Sequence, residues 1–244
     1  MKLAVIGAGA IGGNLARKLS AAGHDVEVAD ARGPEAIRAD ILDTGARAVA
    51  LDAAVQDKDA VVLAIPFGVA GRLADLFATV PAETVVIDTS NYYPHLGGQV
   101  EAVDNGKVES VYTSELLGRP VVKAWNAALS ETQRTKGVPA GTPGRIAIPV
   151  AGDFDEARKV AMSLVDDTGF DPYDAGLLAD SWRQQPMGPV YCTELTLDEL
   201  PGALAAADRV KDAAVRDSMM ERFAALPEDP TLADVVEMNR AAHR

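Results

Sequence analysis

The sequence is poor in cysteine and histidine. It has one cysteine, Cys192, among 244 residues, which excludes an internal disulfide and fits a reducing compartment. Its three histidines, His24, His95 and His243, lie far apart without metal-ligand spacing, so the sequence predicts no metal site. Cys192 has no base near it in the sequence, and we do not expect it to act as a nucleophile.

Positive charge is also scarce. The chain has 23 Lys and Arg residues against 36 Asp and Glu residues, a net charge of −13. This balance excludes a general binder of nucleic acid or of an anionic membrane, because both require a positive surface. No apolar run is long enough to span a membrane. Asn14, Arg17 and Lys18 interrupt the first apolar residues, unlike the centre of a secretory signal. We therefore expect a cytoplasmic protein.

The first thirty residues carry the clearest pattern. Residues 2–6 form an apolar run with the length of a buried strand, and the glycine-rich residues 7–13 follow at once. Apolar residues then recur at intervals of three to four, which predicts a helix, and residues 26–30 supply a second strand. Strand, glycine turn, helix and strand is the arrangement that binds a dinucleotide.

Each residue of the turn has a predicted task toward a pyrophosphate. Gly7 permits the tight turn, Gly9 lets the pyrophosphate approach the backbone, and Gly12 lets the helix pack closely on the strand. The helix that begins at Ala10 and Ile11 presents free N–H groups and a partial positive charge to the phosphates. We therefore expect these five residues to bind the cofactor.

Asp30 and Arg32 bear on the choice between NAD and NADP. Asp30 follows Gly12 by about the spacing expected for the acid that binds the cofactor ribose. Arg32 is either a solvated loop residue or a guanidinium clamp on a 2′-phosphate, and a clamp indicates NADP. The Asp30 carboxylate would repel this phosphate unless it points aside. The residues favour NADP and leave NAD as the alternative.

The rest of the first 175 residues alternates between strand and helix patterns. Strands are predicted at 46–50, 60–65, 84–88, 120–126 and 145–150, with a helix around 36–42 and one capped by Asp153 that ends near Gly169. This alternation predicts a Rossmann-type, doubly wound α/β fold with a mainly parallel sheet.

The alternation stops beyond Asp174. Residues 181–192 are irregular and broken by prolines, and an alanine-rich helical pattern begins at Leu200, with a last helix around 232–242. We predict a Rossmann NAD(P)-binding domain over 1–175 and a C-terminal helical cap or dimerisation region over 176–244. A dimerisation role would make the protein a homodimer.

The segments after the predicted strands supply further candidate residues, because cofactors lie across the carboxyl ends of such strands. Pro66 and Phe67 are predicted cofactor contacts. The polar, aromatic loop over 89–98 is expected to bring Asn91 or Tyr92 to the site, whereas His95 has no recognisable catalytic partner.

Lys123 and Asn126 stand at the end of the predicted strand over 120–126. A lysine in an apolar strand is usually satisfied by an ion pair. Beside a nicotinamide, however, these two side chains could orient a substrate. No nucleophile or catalytic dyad is recognisable, and no catalytic residue is assigned with certainty.

Five motifs in this order resemble the family of NADPH-dependent coenzyme F420 reductases and related dinucleotide-binding oxidoreductases. They are the glycine turn, Ala31-Arg32-Gly33-Pro34-Glu35, Ala64-Ile65-Pro66, Val86-Ile87-Asp88-Thr89-Ser90-Asn91 and Val122-Lys123-Ala124-Trp125-Asn126. The resemblance implies that NADP binds the glycine turn and that Arg32 holds the 2′-phosphate, although the family's preceding serine is Ala31 here. It also implies that the second substrate docks near residues 123–126.

The resemblance implies hydride transfer between NADP(H) and a second small-molecule redox partner such as coenzyme F420 or a flavin. Such transfer needs no protein nucleophile, because the enzyme holds donor and acceptor face to face. One alternative is a hydroxyacid or imine dehydrogenase in which Lys123 and Asn126 act on a carbonyl. Those enzymes usually place lysine and asparagine four apart on a helix, and here the spacing is three. Another alternative is a non-catalytic redox sensor of the NADP(H) ratio.

Overall fold

The computed structural model describes residues 1–244. Its strands are β1 (Lys2–Ile6), β2 (Asp25–Ala29), β3 (Arg47–Ala48), β4 (Ala60–Leu63), β5 (Val85–Asp88), β6 (Val122–Lys123), β7 (Ala147–Val150) and β8 (Asp171–Asp174). Its α-helices are α1 (Ala10–Ala21), α2 (Ala39–Leu42), α3 (Leu51–Ala54), α4 (Ala74–Phe77), α5 (Pro94–Gly97), α6 (Glu101–Asp104), α7 (Glu109–Leu117), α8 (Ser130–Thr135), α9 (Asp155–Asp167), α10 (Leu200–Ala205), α11 (Arg209–Asp217), α12 (Met219–Ala224) and α13 (Leu232–Ala241). Short 3-10 helices occupy Pro34–Ala36, Val69–Leu73 and Leu178–Gln184. None of the helices has the length and apolarity that crossing a membrane requires.

Six strands form one parallel sheet in the order β3-β2-β1-β4-β5-β6. The strand order reverses between β1 and β4, which leaves a crevice at the carboxyl ends of these two strands. The Rossmann-type α/β fold that the sequence predicts is therefore confirmed, and its C-terminal region is helical.

The central strand β1 shows why the sheet strands are continuous apolar runs. Leu3 and Val5 pack into a core that includes α1 and α9, whereas Ala4 and Ile6 pack into a second core with Phe77 and other residues on the opposite face. Because successive side chains of a strand point to opposite faces, a strand covered on both sides has no polar face.

The predicted strand over 145–150 exists but does not extend the main sheet. It is β7, which pairs in parallel with β8 in a separate two-stranded sheet. A single antiparallel bridge between Lys123 and Ala151 joins it to β6. The sequence did not predict β8, because residues 171–174 are not apolar and contain Pro172. A proline is tolerated in an edge strand of this kind.

The strand predicted over 120–126 is much shorter than expected. β6 ends at Lys123, and Trp125 adopts the left-handed conformation with a φ of +58°. A bulky residue rarely adopts this conformation, and the surrounding structure holds it there. The Trp125 ring is fully buried, and its Nε1–H donates to Thr168 Oγ1 at 3.2 Å.

Two predicted helices also differ in detail. The helix expected around 36–42 is split into a 3-10 turn and α2, because Ile37 is extended between them. Asp153 does not cap α9, whose N-cap residue is Phe154. The Asp153 carboxylate accepts instead from the backbone N–H of Leu178, 3.0 Å away, and thereby ties the C-terminal region to the start of α9.

The C-terminal helices pack on β7 and on the irregular segment over 185–196. Leu200 and Leu204 of α10 form a small hydrophobic cluster with Val190 and with Ala147 of β7. The last helix, α13, begins with a capping box between Thr231 and Asp234 and agrees with the predicted helix over 232–242. The domain boundary near residue 175 stays a prediction.

Candidate active site

The glycine turn lies at the N-terminus of α1, beside the crevice between β1 and β4. Gly7 has a φ of +103°, and a Cβ at Gly12 would overlap the carbonyl oxygen of Gly7. Beside Gly9, by contrast, nothing lies within 4 Å of the position that a Cβ would occupy. The first turn of α1 has no acidic residue and no side-chain cap, so the N–H groups around Ala10 and Ile11 are available to an anion. The turn therefore fits a diphosphate.

Asp30 and Arg32 lie together beyond the end of β2. Asp30 Oδ1 accepts from the Arg32 Nε–H at 2.8 Å and from the Arg32 backbone N–H at 3.1 Å, while Oδ2 lies 3.3 Å from the Ala8 nitrogen and accepts its N–H. The Arg32 guanidinium holds the pKa of the Asp30 carboxyl at about 2. The Arg32 side chain is 69% exposed, and its Nη1 has no hydrogen-bond partner in the protein. Arg32 thus neutralises Asp30 and still offers N–H groups to a ligand.

A cleft of about 310 Å³ opens where β4 and β5 end. We call it the smaller cleft; it is lined by Ile11, 64–67, 89–93, 96–98 and Val100. The structure brings the predicted residues Pro66, Phe67 and Asn91 together here with the glycine turn. Most of the lining is apolar, which suits a planar ring.

Asn126 lies behind the smaller cleft rather than in its wall. It is buried, and its Nδ2 donates to Asn91 Oδ1 at 3.1 Å and to the Gln184 carbonyl at 2.7 Å. The Asn91 Nδ2 in turn donates to the Asn126 carbonyl at 2.9 Å. Asn126 therefore orients the Asn91 amide, which does line the cleft.

Lys123 is fully buried and points into a cluster of charged and hydroxyl groups. Its Nζ donates to the Ser90 carbonyl and lies 3.4 Å from Asp88 Oδ2 and 4.0 Å from Glu109 Oε2. In this position Lys123 holds the backbone of the 89–93 loop, and its side chain does not line the smaller cleft.

A second, larger cleft of about 570 Å³ lies beside the smaller one. Its walls come from 94–109, 182–186 and 209–217. The two clefts meet at Tyr92, whose ring centroid is 5.3 Å from that of Phe67 in the smaller cleft. The guanidinium carbon of Arg216, in the larger cleft, is also 5.3 Å from the Tyr92 ring centroid. The Tyr92 hydroxyl donates to Asp104 Oδ1 at 2.9 Å, so the aromatic ring is a fixed partition.

The sequence did not indicate Glu109, Trp182 or Arg216 as site residues. They come from α7, from the 3-10 helix before residue 185 and from α11, and no motif relates these segments. His95 lines the larger cleft but has no hydrogen-bond partner there. Cys192 is buried, and burial raises the pKa of its thiol to about 12, which agrees with the expectation that it is not a nucleophile.

The sequence of this chain is similar to those of known proteins. Residues 2–92 match the family described as NADP oxidoreductase, coenzyme F420-dependent. The protein YjhV of Escherichia coli (strain K12) is 41% identical over 104 residues, which are 43% of this chain and 76% of YjhV. The chain belongs to this family of NADP oxidoreductases. It is therefore an NAD(P)-dependent oxidoreductase, and binding of NADP(H) follows from the family.

Two solved structures show how far the likeness extends. The protein SMa0349 of Sinorhizobium meliloti is 29% identical, with a TM-score of 0.69 over 80% of this chain and 95% of that protein. A candidate coenzyme F420-dependent NADP reductase from Arthrobacter sp. FB24 is 20% identical, with a TM-score of 0.59 over 74% of this chain and 87% of that protein. At this identity the second likeness shows the fold alone.

Proposed function

We propose that this NADP oxidoreductase transfers hydride between NADP(H) and a second small redox molecule, a deazaflavin such as coenzyme F420 or a flavin. The observation that carries the proposal is the smaller cleft, because it joins the glycine turn to the ends of β4 and β5 in one crevice. A nicotinamide supplies a hydride at one ring carbon when it is bound. The protein's contribution is to bind, orient and exclude water.

The residues proposed to hold the cofactor fall into three groups along the crevice. The glycine turn takes the pyrophosphate, Asp30 and Arg32 take the adenosine ribose, and the smaller cleft takes the nicotinamide. The full set is Gly7, Gly9, Ala10, Ile11, Gly12, Asp30, Arg32, Pro66, Phe67 and Asn91. At Gly9, where the pyrophosphate is proposed to approach the backbone, no atom lies within 4 Å of the position that a Cβ would occupy.

The ion pair between Asp30 and Arg32 supports NADP over NAD. An isolated Asp30 carboxylate would repel a 2′-phosphate, but Arg32 offsets its charge at 2.8 Å. The free Nη1 of Arg32 can then bind the phosphate as a charge-assisted donor. Asp30 also accepts from the Ala8 N–H, so the same pair links the ribose end of the site to the glycine turn.

Lys123 and Asn126, the two candidates on the substrate side, are proposed to position other residues and not to touch the substrate. Lys123 fixes the 89–93 loop through Ser90, and Asn126 fixes the Asn91 amide. The dehydrogenase alternative has less support, because it requires Lys123 and Asn126 to act on a carbonyl and both side chains are buried. Hydride transfer to a planar ring partner does not require either side chain to act on that partner.

Rapid mixing with NADPH tests the proposal. The protein is mixed with NADPH and, in turn, with coenzyme F420, a free flavin and a panel of small carbonyl compounds, while the absorbance of the reduced nicotinamide is followed. We expect oxidation with the deazaflavin or the flavin. Oxidation only by a carbonyl would replace the proposal with the dehydrogenase function, and no oxidation by any acceptor would refute it.

A further inference from the structure

Residues 187–194, which we call the strained segment, contain three side-chain-bearing residues in an unfavourable backbone conformation. Met187, Cys192 and Glu194 are left-handed, with φ of +63°, +55° and +52°. Residues with a Cβ rarely adopt this conformation, and it persists only where the surrounding structure holds it. Such strain collects at functional sites, and the strained segment contacts a residue in the wall of the smaller cleft.

Contacts with two other parts of the chain hold the strained segment in place. Asn239 Nδ2, on α13, donates to the Cys192 carbonyl at 3.3 Å. The next residue of α13, Arg240, donates from Nε to the Thr193 carbonyl at 2.7 Å. The Cys192 backbone N–H donates to the Ala127 carbonyl at 2.9 Å. The backbone of the strained segment is thus fixed by α13 and by the loop that follows β6.

Tyr191 connects the strained segment to the smaller cleft. It is buried, and its hydroxyl and that of Tyr93 form a hydrogen bond. Tyr93 lines the smaller cleft and packs against a hydrophobic cluster that includes Tyr191 and Cys192. Burial raises the pKa of both phenols above the usual value, so both stay neutral at neutral pH. The contact is therefore a hydrogen bond between two uncharged hydroxyls, which suits a role in positioning.

Residues 91–93 line the smaller cleft, and each of them is fixed by a partner from another segment. The amide of the first is oriented by Asn126, and the hydroxyl of the second donates to Asp104. The hydroxyl of the third, Tyr93, has Tyr191 as its only hydrogen-bond partner in the protein. Without the Tyr191 hydroxyl, only packing would orient the Tyr93 ring.

We propose that Tyr93 contacts the nicotinamide ring and that Tyr191 is the positioning residue that holds Tyr93 in this contact. The inference rests on the proposed function, which assigns the nicotinamide to the smaller cleft. The Tyr93 ring is part of the wall beside the nicotinamide, and its hydrogen bond to Tyr191 fixes the angle of that wall. Hydride transfer requires a narrow range of distance and angle between donor and acceptor carbons. A tilted wall therefore slows the transfer without removing the phosphate contacts that hold the cofactor.

Tyr191→Phe tests this role, with Tyr173→Phe as the matched control. Tyr191→Phe removes the hydroxyl and keeps the buried ring. Tyr173, on β8, lines neither cleft, and its hydroxyl has no hydrogen-bond partner in the protein. With NADPH saturating and the acceptor that the wild type uses, the single-turnover rate should fall roughly 10- to 100-fold in Tyr191→Phe and stay unchanged in Tyr173→Phe. The Kd for NADPH should change by less than about threefold in both variants.

A double-mutant cycle separates this role from a general loss of stability. Tyr93→Phe should lower the rate by a similar factor. The variant that combines Tyr93→Phe with Tyr191→Phe should be no slower than either single variant, because both changes remove the same hydrogen bond. Losses that multiply in the double variant, or a loss of the same size in Tyr173→Phe, would overturn the positioning role.

Nuclear magnetic resonance provides a readout that needs no turnover. The chain has five tyrosines, so selective labelling gives few ring signals, and Tyr93→Phe identifies the signal of Tyr93. With NADP bound, a nuclear Overhauser effect should connect the Tyr93 ring protons to the nicotinamide protons in the wild type and in Tyr173→Phe. The effect should be lost in Tyr191→Phe. Its absence from the wild type would overturn the contact even if Tyr191→Phe does not fold.

Failure of this inference can be told from failure of the proposed function. An active wild type without the Overhauser effect, or with the same effect in Tyr191→Phe, overturns the inference alone. A wild type that shows the effect but oxidises NADPH with no acceptor overturns the proposed function alone.

Discussion

Replacing Arg32 by alanine should convert a preference for NADPH into a preference for NADH. The change removes the free guanidinium N–H groups and also leaves the Asp30 carboxylate without the partner that holds its pKa at about 2. A lost charge-assisted contact and a newly unpaired negative charge both oppose a 2′-phosphate. Because the Arg32 side chain is 69% exposed, solvent screens these effects, and we expect a loss of roughly 10- to 100-fold in NADPH affinity.

NADH should behave differently. Its ribose carries a hydroxyl that can donate to the Asp30 oxygens freed from Arg32, so its affinity should change by less than about threefold. Fluorescence titration of both cofactors at two salt concentrations measures the effect, and the NADPH difference should shrink at the higher salt.

Arg38→Ala is the matched control. Arg38 pairs with Asp40 through Nε and Nη2 in the same way, and its side chain is 68% exposed, but it lies on the loop before α2 and away from the glycine turn. This variant should bind both cofactors as the wild type does. Equal losses of NADPH and NADH in Arg32→Ala, or a loss of the same size in Arg38→Ala, would refute the clamp.

Four other predictions concern the turn and the buried charges. Gly9→Ala should leave the free energy of unfolding within about 1 kcal/mol of the wild type but abolish cofactor binding, because its methyl group occupies open space that the pyrophosphate needs. Gly12→Ala should lose about 3 kcal/mol in denaturant unfolding, since its Cβ overlaps backbone, and equal stability of the two variants would contradict this assignment. The Glu109 pKa is about 7 when folded and near 4.5 when unfolded, so this group favours folding below pH 4.5 and loses that contribution as the pH rises through 7. The melting temperature of Glu109→Gln relative to the wild type should therefore be higher at pH 8 than at pH 5, and a pH-independent difference would argue against the raised pKa. Lys123→Met should cost about 3–5 kcal/mol in unfolding free energy, because it leaves the buried Asp88 carboxylate without its cation, and a loss below 1 kcal/mol would show that this pair is not charged.

Asp30 and Arg32 also show what could not be predicted from the sequence, which is the direction of the Asp30 carboxylate. The spacing of Asp30 and Arg32 predicts that both residues lie at the ribose; the structure places them together beyond the end of β2, and their contact with a ribose stays a prediction. Whether Asp30 would repel a phosphate depended on the direction of its carboxylate, which the structure shows turned toward the Ala8 N–H and paired with Arg32. Side-chain direction depends on contacts between segments, and spacing along a chain carries no information about them.

The sequence by itself determined the fold class, and it predicted the residues at the cofactor end of the site. The glycine turn, the apolar strands and the alternation with helices are local patterns, and local sterics and burial on both sheet faces are sufficient to produce them. The tertiary structure alone decided that Lys123 and Asn126 support the site from behind, that β7 leaves the main sheet to pair with β8, and that Glu109 lies at the partition formed by Tyr92. These features join segments far apart in the chain, and the pKa of a buried acid depends on the charges that folding brings around it.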